Sequence, residues 1–189
     1  MALNTLTSLE QEHGFLYTKK LLFGNVELEK KIKNSLLEKS ISQEALHYGT
    51  LYEQELLHGY EAPSVLQWIH KDVGYGLYST LDLPQGSFIG EYTGIIDVNA
   101  PYYKMKDYVF SYPLEDASQK KFSIDAESYG NLTRFINHSF QPNLTPLHAF
   151  HEGLYHVILV ANRPIKQGEQ LTYSYGHSYW YIRGTPMTF

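Results

Sequence analysis

No cysteine occurs anywhere in the 189 residues, which excludes a disulfide framework and every thiolate zinc or iron–sulfur site and leaves the redox compartment undetermined. Long apolar runs are missing too. The longest aliphatic stretch is Val157 to Ala161, far short of the roughly 20 residues a membrane helix needs, so a soluble protein with no membrane partner is expected. Nor is there an excess of basic residues: 15 Lys plus Arg stand against 20 Asp plus Glu, a net charge of −5. That balance argues against direct binding along nucleic-acid phosphates and mildly favours a basic partner. No Sec-type signal is readable, because Glu10 and Glu12 come early and no apolar core precedes them. Walker A and G-x-S-x-G patterns are absent, which removes support for P-loop and serine-hydrolase chemistry.

What the chain has in abundance is tyrosine. Thirteen of its seventeen tyrosines follow Pro63, where the texture also changes. From Val26 to Tyr60 the apolar residues Val26, Ile32, Leu36, Leu37, Leu46, Leu51, Leu56 and Leu57 recur at helical spacing, which predicts two helices. Ser42 offers an N-cap to the second, and Gly59 with Pro63 its stop. This segment reads as a helical cover on the main domain, with a partner-binding coiled coil as the alternative. After Pro63 come short strand-like runs between glycines and prolines: Val65 to His70, Tyr75 to Thr80, Ser87 to Tyr92, Tyr108 to Tyr112, Phe122 to Ile124, His156 to Ala161 and Gln170 to Tyr175. Strands do not alternate with long helices, so a doubly wound nucleotide fold is not expected.

Several polar and aromatic groupings could carry chemistry. Asn131 to Ser139 places Arg134, Asn137 and His138 around Phe135 and Ile136, so these polar groups either satisfy one another inside the protein or hold a ligand. Tyr173 and Tyr175 are two apart and share a strand face, as do Tyr108 and Phe110. Each pair alone is ordinary packing; converging with Tyr92 they would form a narrow aromatic sleeve. Gly74-Tyr75-Gly76 lacks the third glycine of a dinucleotide fingerprint and reads as a tight hairpin or a close backbone approach to a ligand. His148, His151 and His156 lack a matching carboxylate pattern, so no metal site is expected.

Taken in order, Gly74-Tyr75-Gly76, Glu91-Tyr92-Thr93-Gly94, Asp107-Tyr108-Val109-Phe110, Arg134 to Ser139 with Pro142-Asn143, and Gly168 to Gly176 resemble the motif series of SET-domain lysine methyltransferases. The resemblance covers about Val65 to Trp180; Gly90 to Gly94 and Tyr179-Trp180 look most like the bacterial, chlamydia-type SET proteins. It implies a mainly β fold with some α, a β-clip of several small sheets with knot-like C-terminal threading. In that division a helical segment (1–64) precedes a SET domain (65–176), and a C-terminal tail (177–189) closes the site. The activity implied is methyl transfer from S-adenosylmethionine to a lysine of a basic protein such as a histone or histone-like protein. A non-catalytic SET-like binding module and a helix-mediated interaction protein are the alternatives.

Carried across by motif, the resemblance implies cofactor binding by Gly74, Tyr75, Gly76, Tyr108, Arg134, Asn137 and His138, with Trp180 over the adenine. Tyr175 matches the essential tyrosine, and Tyr92, Tyr108, Phe110 and Tyr173 match the walls of the lysine channel, with Tyr92 and Tyr173 also grouped with Tyr175 as catalytic. Tyr173, where the family carries phenylalanine or tyrosine, implies mono- or dimethylation. Three departures stand out: Phe140 follows Ser139 where the family often has cysteine, zinc modules are absent, and Ser174 replaces a common aspartate. For such a bacterial protein the polar start leaves cytoplasmic residence and export into a host cell and its nucleus both open. A homodimer through the N-terminal helices is a further expectation.

Overall fold

A computed structural model describes residues 6–37, 39–99, 106–115 and 119–184; the ends of the two terminal segments, 1–5 and 185–189, lie outside it. Along the chain run α1 (Leu6–His13), β1 (Leu16–Tyr17), β2 (Leu22–Phe23), α2 (Val26–Leu37), α3 (Gln43–Leu51), α4 (Glu53–His58), β3 (Ser64–His70), β4 (Gly74–Ser79), β5 (Phe88–Glu91) and β6 (Ile95–Val98). They are followed by β7 (Val109–Glu115), β8 (Lys121–Asp125), β9 (Tyr129–Gly130), a 3-10 turn (Leu132–Phe135), β10 (Asn137–His138), β11 (Leu144–His151), β12 (Leu154–Ala161), β13 (Thr172–Tyr173) and α5 (His177–Arg183). No described helix is long and apolar enough to cross a membrane.

The aliphatic run singled out above becomes β12, the middle strand of the antiparallel sheet β11-β12-β5. Because a strand turns alternate side chains to opposite faces, one run feeds two cores. Leu159 and Ala161 pack with Ile89, Ile136, Leu144, Leu171 and Tyr173, while Ile158 and Val160 pack with Tyr52, Leu56 and Phe88. Val157 joins a third cluster beneath the sheet β2-β6-β8-β7.

The N-terminal helices show why the periodicity needed correcting. In α2 the buried face is Leu28, Ile32 and Leu36, whereas Val26 and Leu37 point to solvent. Asn25 Oδ1 caps this helix by accepting from the Leu28 amide at 2.8 Å. Ser42 caps α3 as expected, accepting from Ala45 at 3.1 Å. That helix is interrupted at Tyr52, so the second predicted helix is two, α3 and α4, ending at Gly59 in the left-handed region. Leu46, Leu51 and Leu57 are exposed, and α3 instead buries Ala45 and Gly49 against β11. Helix and strand backbones nearly touch there: a Cβ on Gly49 would lie 1.9 Å from the Phe150 carbonyl oxygen. The segment is more than a cover, since β1 pairs in parallel with β9 and β2 with β6. A helix before Val26, α1, was not legible, and neither were the strands β6 and β11.

Buried polar residues set the position of the strand that ends at Glu91. His156 Nδ1 lies 2.6 Å from Glu91 Oε1, with both side chains largely covered. Burial pulls the His156 pKa down, but the Glu91 charge and their hydrogen bond raise it on balance above 6.5. The Glu91 carbonyl accepts from Asn131 Nδ2 at 2.8 Å and from Thr133 Oγ1, and these two side chains bond each other at 2.6 Å. Much of the polar 131–139 segment is therefore self-satisfied.

Two outcomes follow for stability. Gly49→Ala destabilises by about 1–3 kcal/mol in urea unfolding, although alanine is the better helix former by roughly 1 kcal/mol, because backbone must move to admit the methyl. For the ion pair, a raised histidine pKa means its contribution is complete below pH 6.5 and is lost as pH rises through the folded value. Glu91→Gln thus costs about 3–5 kcal/mol at pH 6, and its difference from wild type shrinks as unfolding is repeated at increasing pH.

Candidate active site

The site forms where the hairpin β3–β4, the segment 168–173 and the short strand β10 converge. β4 continues its pairing past β3 onto that segment: Gly168 N donates to the Ser79 carbonyl and Leu171 N to that of Leu77, each at 2.8 Å. β13 then lies parallel to β10, pairing Asn137 with Thr172 and His138 with Tyr173. Parallel partners require a long connection, here supplied by β11 and β12. The buried Asn143 holds the returning chain, accepting from the Thr172 amide at 2.8 Å and donating to the Gln170 carbonyl at 2.8 Å.

Gly74-Tyr75-Gly76 forms the start of β4, and the β3–β4 hairpin read from sequence is present. Asn137 Nδ2 donates to the Tyr75 carbonyl at 3.0 Å, which joins the glycine turn to the Asn-His segment. At Gly76 a Cβ would come within 2.6 Å of both Ile69 Cδ1 and Gln170 Nε2, so any larger residue would have to push those two side-chain ends aside. Tyr75 itself points outward, its ring against Trp68 and His13 and its hydroxyl on Glu12.

The aromatic residues do converge. Tyr92 is 5.3 Å from Phe110, Phe110 is 5.8 Å from Tyr173, and Tyr173 is 4.9 Å from Tyr175, all measured between ring centroids. Burial raises the pKa values of Tyr92, Tyr173 and Tyr175 well above the ordinary tyrosine range, so all three phenols stay protonated near neutrality. Tyr175 is held twice: its hydroxyl donates to the Ile136 carbonyl at 2.9 Å and its amide to His138 Nδ1 at 3.1 Å.

Arg134 is placed differently from a ligand-facing cation. Its guanidinium lies 3.9 Å from the Tyr108 ring centroid and 4.3 Å from that of Phe15, and Nη2 donates to the Glu127 carbonyl. The side chain is 7% exposed and its Nε has no protein partner. It pins Tyr108 from behind and brings the N-terminal Phe15 into the support of the site.

Beside Tyr175 opens a cavity of about 470 Å³ lined by His138, Phe140, Ser174, Gly176, His177, Trp180, Tyr181 and Gly184. His138 Nδ1 accepts from Tyr175, so the proton sits on Nε2, and burial lowers the ring's pKa and keeps it neutral. His138 Nε2 and Trp180 Nε1 are both buried N–H groups with no protein partner, and the two rings are 5.0 Å apart. The rings of His138, Phe140 and Trp180 in this wall suit a planar heteroaromatic ligand such as adenine. No cluster of metal-ligating side chains exists among the described residues.

Sequence reasoning missed Tyr179 as part of this site: its ring stands edge-on to Tyr175 at 4.8 Å. Arg183, four residues further along α5, covers Tyr179 at 4.0 Å. Their helical i, i+4 spacing was the available signal.

A family model described as the SET domain matches residues 74–176. Human histone-lysine N-methyltransferase EHMT1 is 38% identical over 120 residues, covering 60% of this chain and 9% of that protein. Histone-lysine N-methyltransferase Su(var)3-9 of Drosophila melanogaster is 34% identical over 130 residues, covering 62% of this chain and 20% of that protein. The chain thus spans a fifth or less of either relative's length. Among solved structures, ATXR5 in complex with histone H3.1 superposes with a TM-score of 0.70 over 90% of this chain and 85% of that one, at 20% identity, a likeness of fold. An active polycomb repressive complex 2 matches with a TM-score of 0.55 and 29% identity over 65% of this chain and 16% of that one.

Proposed function

The chain belongs to the SET domain family, and from that premise we propose that it is a protein-lysine N-methyltransferase using S-adenosylmethionine on a lysine of a basic, histone-class protein. The observation that carries this reading is the Tyr175 ring, which stands between the converging rings of Tyr92, Phe110 and Tyr173 and the cavity beside His138 and Trp180. In this reading 65–176 is the catalytic unit, 1–64 buttresses it and 177–189 closes it. The acidic net charge and the histone-directed names of the relatives support a basic substrate. Gly90 to Gly94 and Tyr179-Trp180 support a place among the bacterial, chlamydia-type SET proteins. A second copy would meet the exposed Val26 and Leu37 of α2.

The donor supplies, when bound, an electrophilic methyl group on a sulfonium sulfur. His138 and Trp180 hold its adenine, Asn137 keeps the Gly74 to Gly76 backbone beside it, and Tyr108 and Arg134 form the supporting wall. The acceptor lysine enters as an ammonium with a pKa of about 10.4 and must lose its proton before it can attack. Passage between Tyr92, Phe110 and Tyr173 strips its water, and the Arg134 cation behind Tyr108 adds repulsion; both lower that pKa, and the proton leaves to solvent at the mouth. Tyr175 does not take it. Its phenol is already protonated and donates to Ile136, so its part is to orient and to present a dipole where the groups meet. Alignment of this kind supplies up to roughly 7–11 kcal/mol in favourable cases. The rings also accept the methylammonium product by cation–π attraction, on the order of 0.5–2 kcal/mol each.

Tyr175→Phe is expected to lose about 100-fold or more in turnover on histone protein while S-adenosylhomocysteine affinity, measured by calorimetry, stays within about threefold. Unchanged turnover removes the catalytic role. The Tyr173 hydroxyl narrows the space around a methylated amine and restricts the product to mono- and dimethyllysine. Mass spectrometry of the Tyr173→Phe product should show a higher methylation state than wild type.

A further inference from the structure

The C-terminal helix contributes to both sides of the site yet is short, and the contact that docks it is specific. Gly176, at φ 84°, precedes α5 with no side-chain N-cap, and Gly184, at φ 83°, follows it. Between them, Tyr179 stands against Tyr175 at 4.8 Å, and Trp180 lies parallel to the Tyr175 ring at 6.2 Å and lines the cavity. One helical turn on, the Arg183 guanidinium covers the Tyr179 ring at 4.0 Å. Its Nη2 crosses to the opposite wall, donating to the Lys106 carbonyl at 2.7 Å and lying 3.4 Å from Asp107 Oδ1. These receiving residues immediately precede Tyr108. The receiving end is itself anchored, because Lys106 Nζ reaches Asp125 at 2.5 Å and Glu127 at 3.2 Å.

Magnitudes decide which part of this contact matters. The Asp107 side chain is 74% exposed, so the charge pair is screened and weak. The Arg183 side chain is only 17% exposed; its charge-assisted bond to a backbone carbonyl and its stacking on Tyr179 are the stronger components.

We propose that Arg183 is a positioning residue that latches α5 across the site, so that one contact holds Tyr179 as a wall of the acceptor passage and Trp180 against the donor cavity. The assignment rests on the methyltransferase reading for its consequences but not for its geometry. Donor and acceptor pockets then close together, and loss of the latch weakens both affinities more than it slows chemistry within the fully assembled complex.

The test uses the full chain in a Trp68→Phe background, which leaves Trp180 as the sole indole. Arg183→Ala is expected to increase acrylamide quenching of Trp180, to weaken S-adenosylhomocysteine binding about tenfold and to raise the KM for histone protein similarly. That is the size expected for one hydrogen bond to a charged group. The kcat stays within about threefold. Arg183→Lys, which keeps a cation able to reach the carbonyl and the ring, restores at least part of the quenching protection and of both affinities, which a bulk structural defect would not do. Quenching and affinities within twofold of the parent in Arg183→Ala overturn the latch, as does a kcat loss with both affinities intact. If the parent itself transfers no methyl group to basic proteins, the enzymatic reading fails, while Trp180 quenching still decides the latch.

Discussion

The hydroxyl of Tyr175 donates to the Ile136 carbonyl, and its amide donates to the ring of His138. Both acceptors belong to the stretch leading through β10, so the residue two positions past β13 is bound at two points to the chain that runs parallel to that strand. This doubly anchored residue stands between the rings of Tyr92, Phe110 and Tyr173 and the cavity. The glycine turn follows from it, because Asn137 ties Tyr75 to the same strand and Gly76 is pressed against Gln170 on the segment leading into β13. Displacing Tyr175 would therefore disturb the two pockets together. The buried Asn143 opposes such movement by holding Gln170 and Thr172 in place.

Burying so many polar groups is costly unless each finds a partner. The network around Glu91 meets that condition, with His156, Asn131 and Thr133 bonded to it or to one another. Arg134 meets it partly through ring faces, which accept a cation without supplying a carboxylate. The Glu127 and Asp125 carboxylates are near enough to oppose the burial that pulls the Arg134 pKa down. The N–H groups of His138 and Trp180 are a different matter: they are buried without a protein partner, while the two rings line the cavity.

Much of this was readable from residue order alone. Tyr173 and Tyr175 had to share a face because they are two apart on an extended segment, and the hairpin at Gly74 to Gly76 needed only its turn residues. Ser42 and Gly59 marked helix ends by local chemistry. The rest depended on distant partners. His156 looked like an unpartnered strand histidine because its carboxylate is 65 residues away. Val26 and Leu37 matched a helical period, yet the face actually buried runs through Leu28, Ile32 and Leu36. β11 hid behind Pro146 and two histidines, His148 and His151, residues that an edge strand tolerates because one side of its backbone goes unpaired. The strand expected over Gln170 to Tyr175 contracts to Thr172–Tyr173, since the chain turns away at Gly176 to start α5.

The absence of cysteine acquires a structural meaning at that last helix. A helix of seven residues is too short to persist in water by its own hydrogen bonds. Without thiolates to clip it down, its order has to come from tertiary contact, and the available contacts are Tyr179 and Trp180 against Tyr175, and Arg183 against the chain before Tyr108. Trp180 adds a ring contact with His138, 5.0 Å between centroids. Trp180 then serves twice, ordering α5 and lining the cavity. Such an economy explains why tyrosine is the abundant residue of this domain: it packs like an apolar ring while its hydroxyl can still be held by a backbone carbonyl, as Tyr175 is held by Ile136.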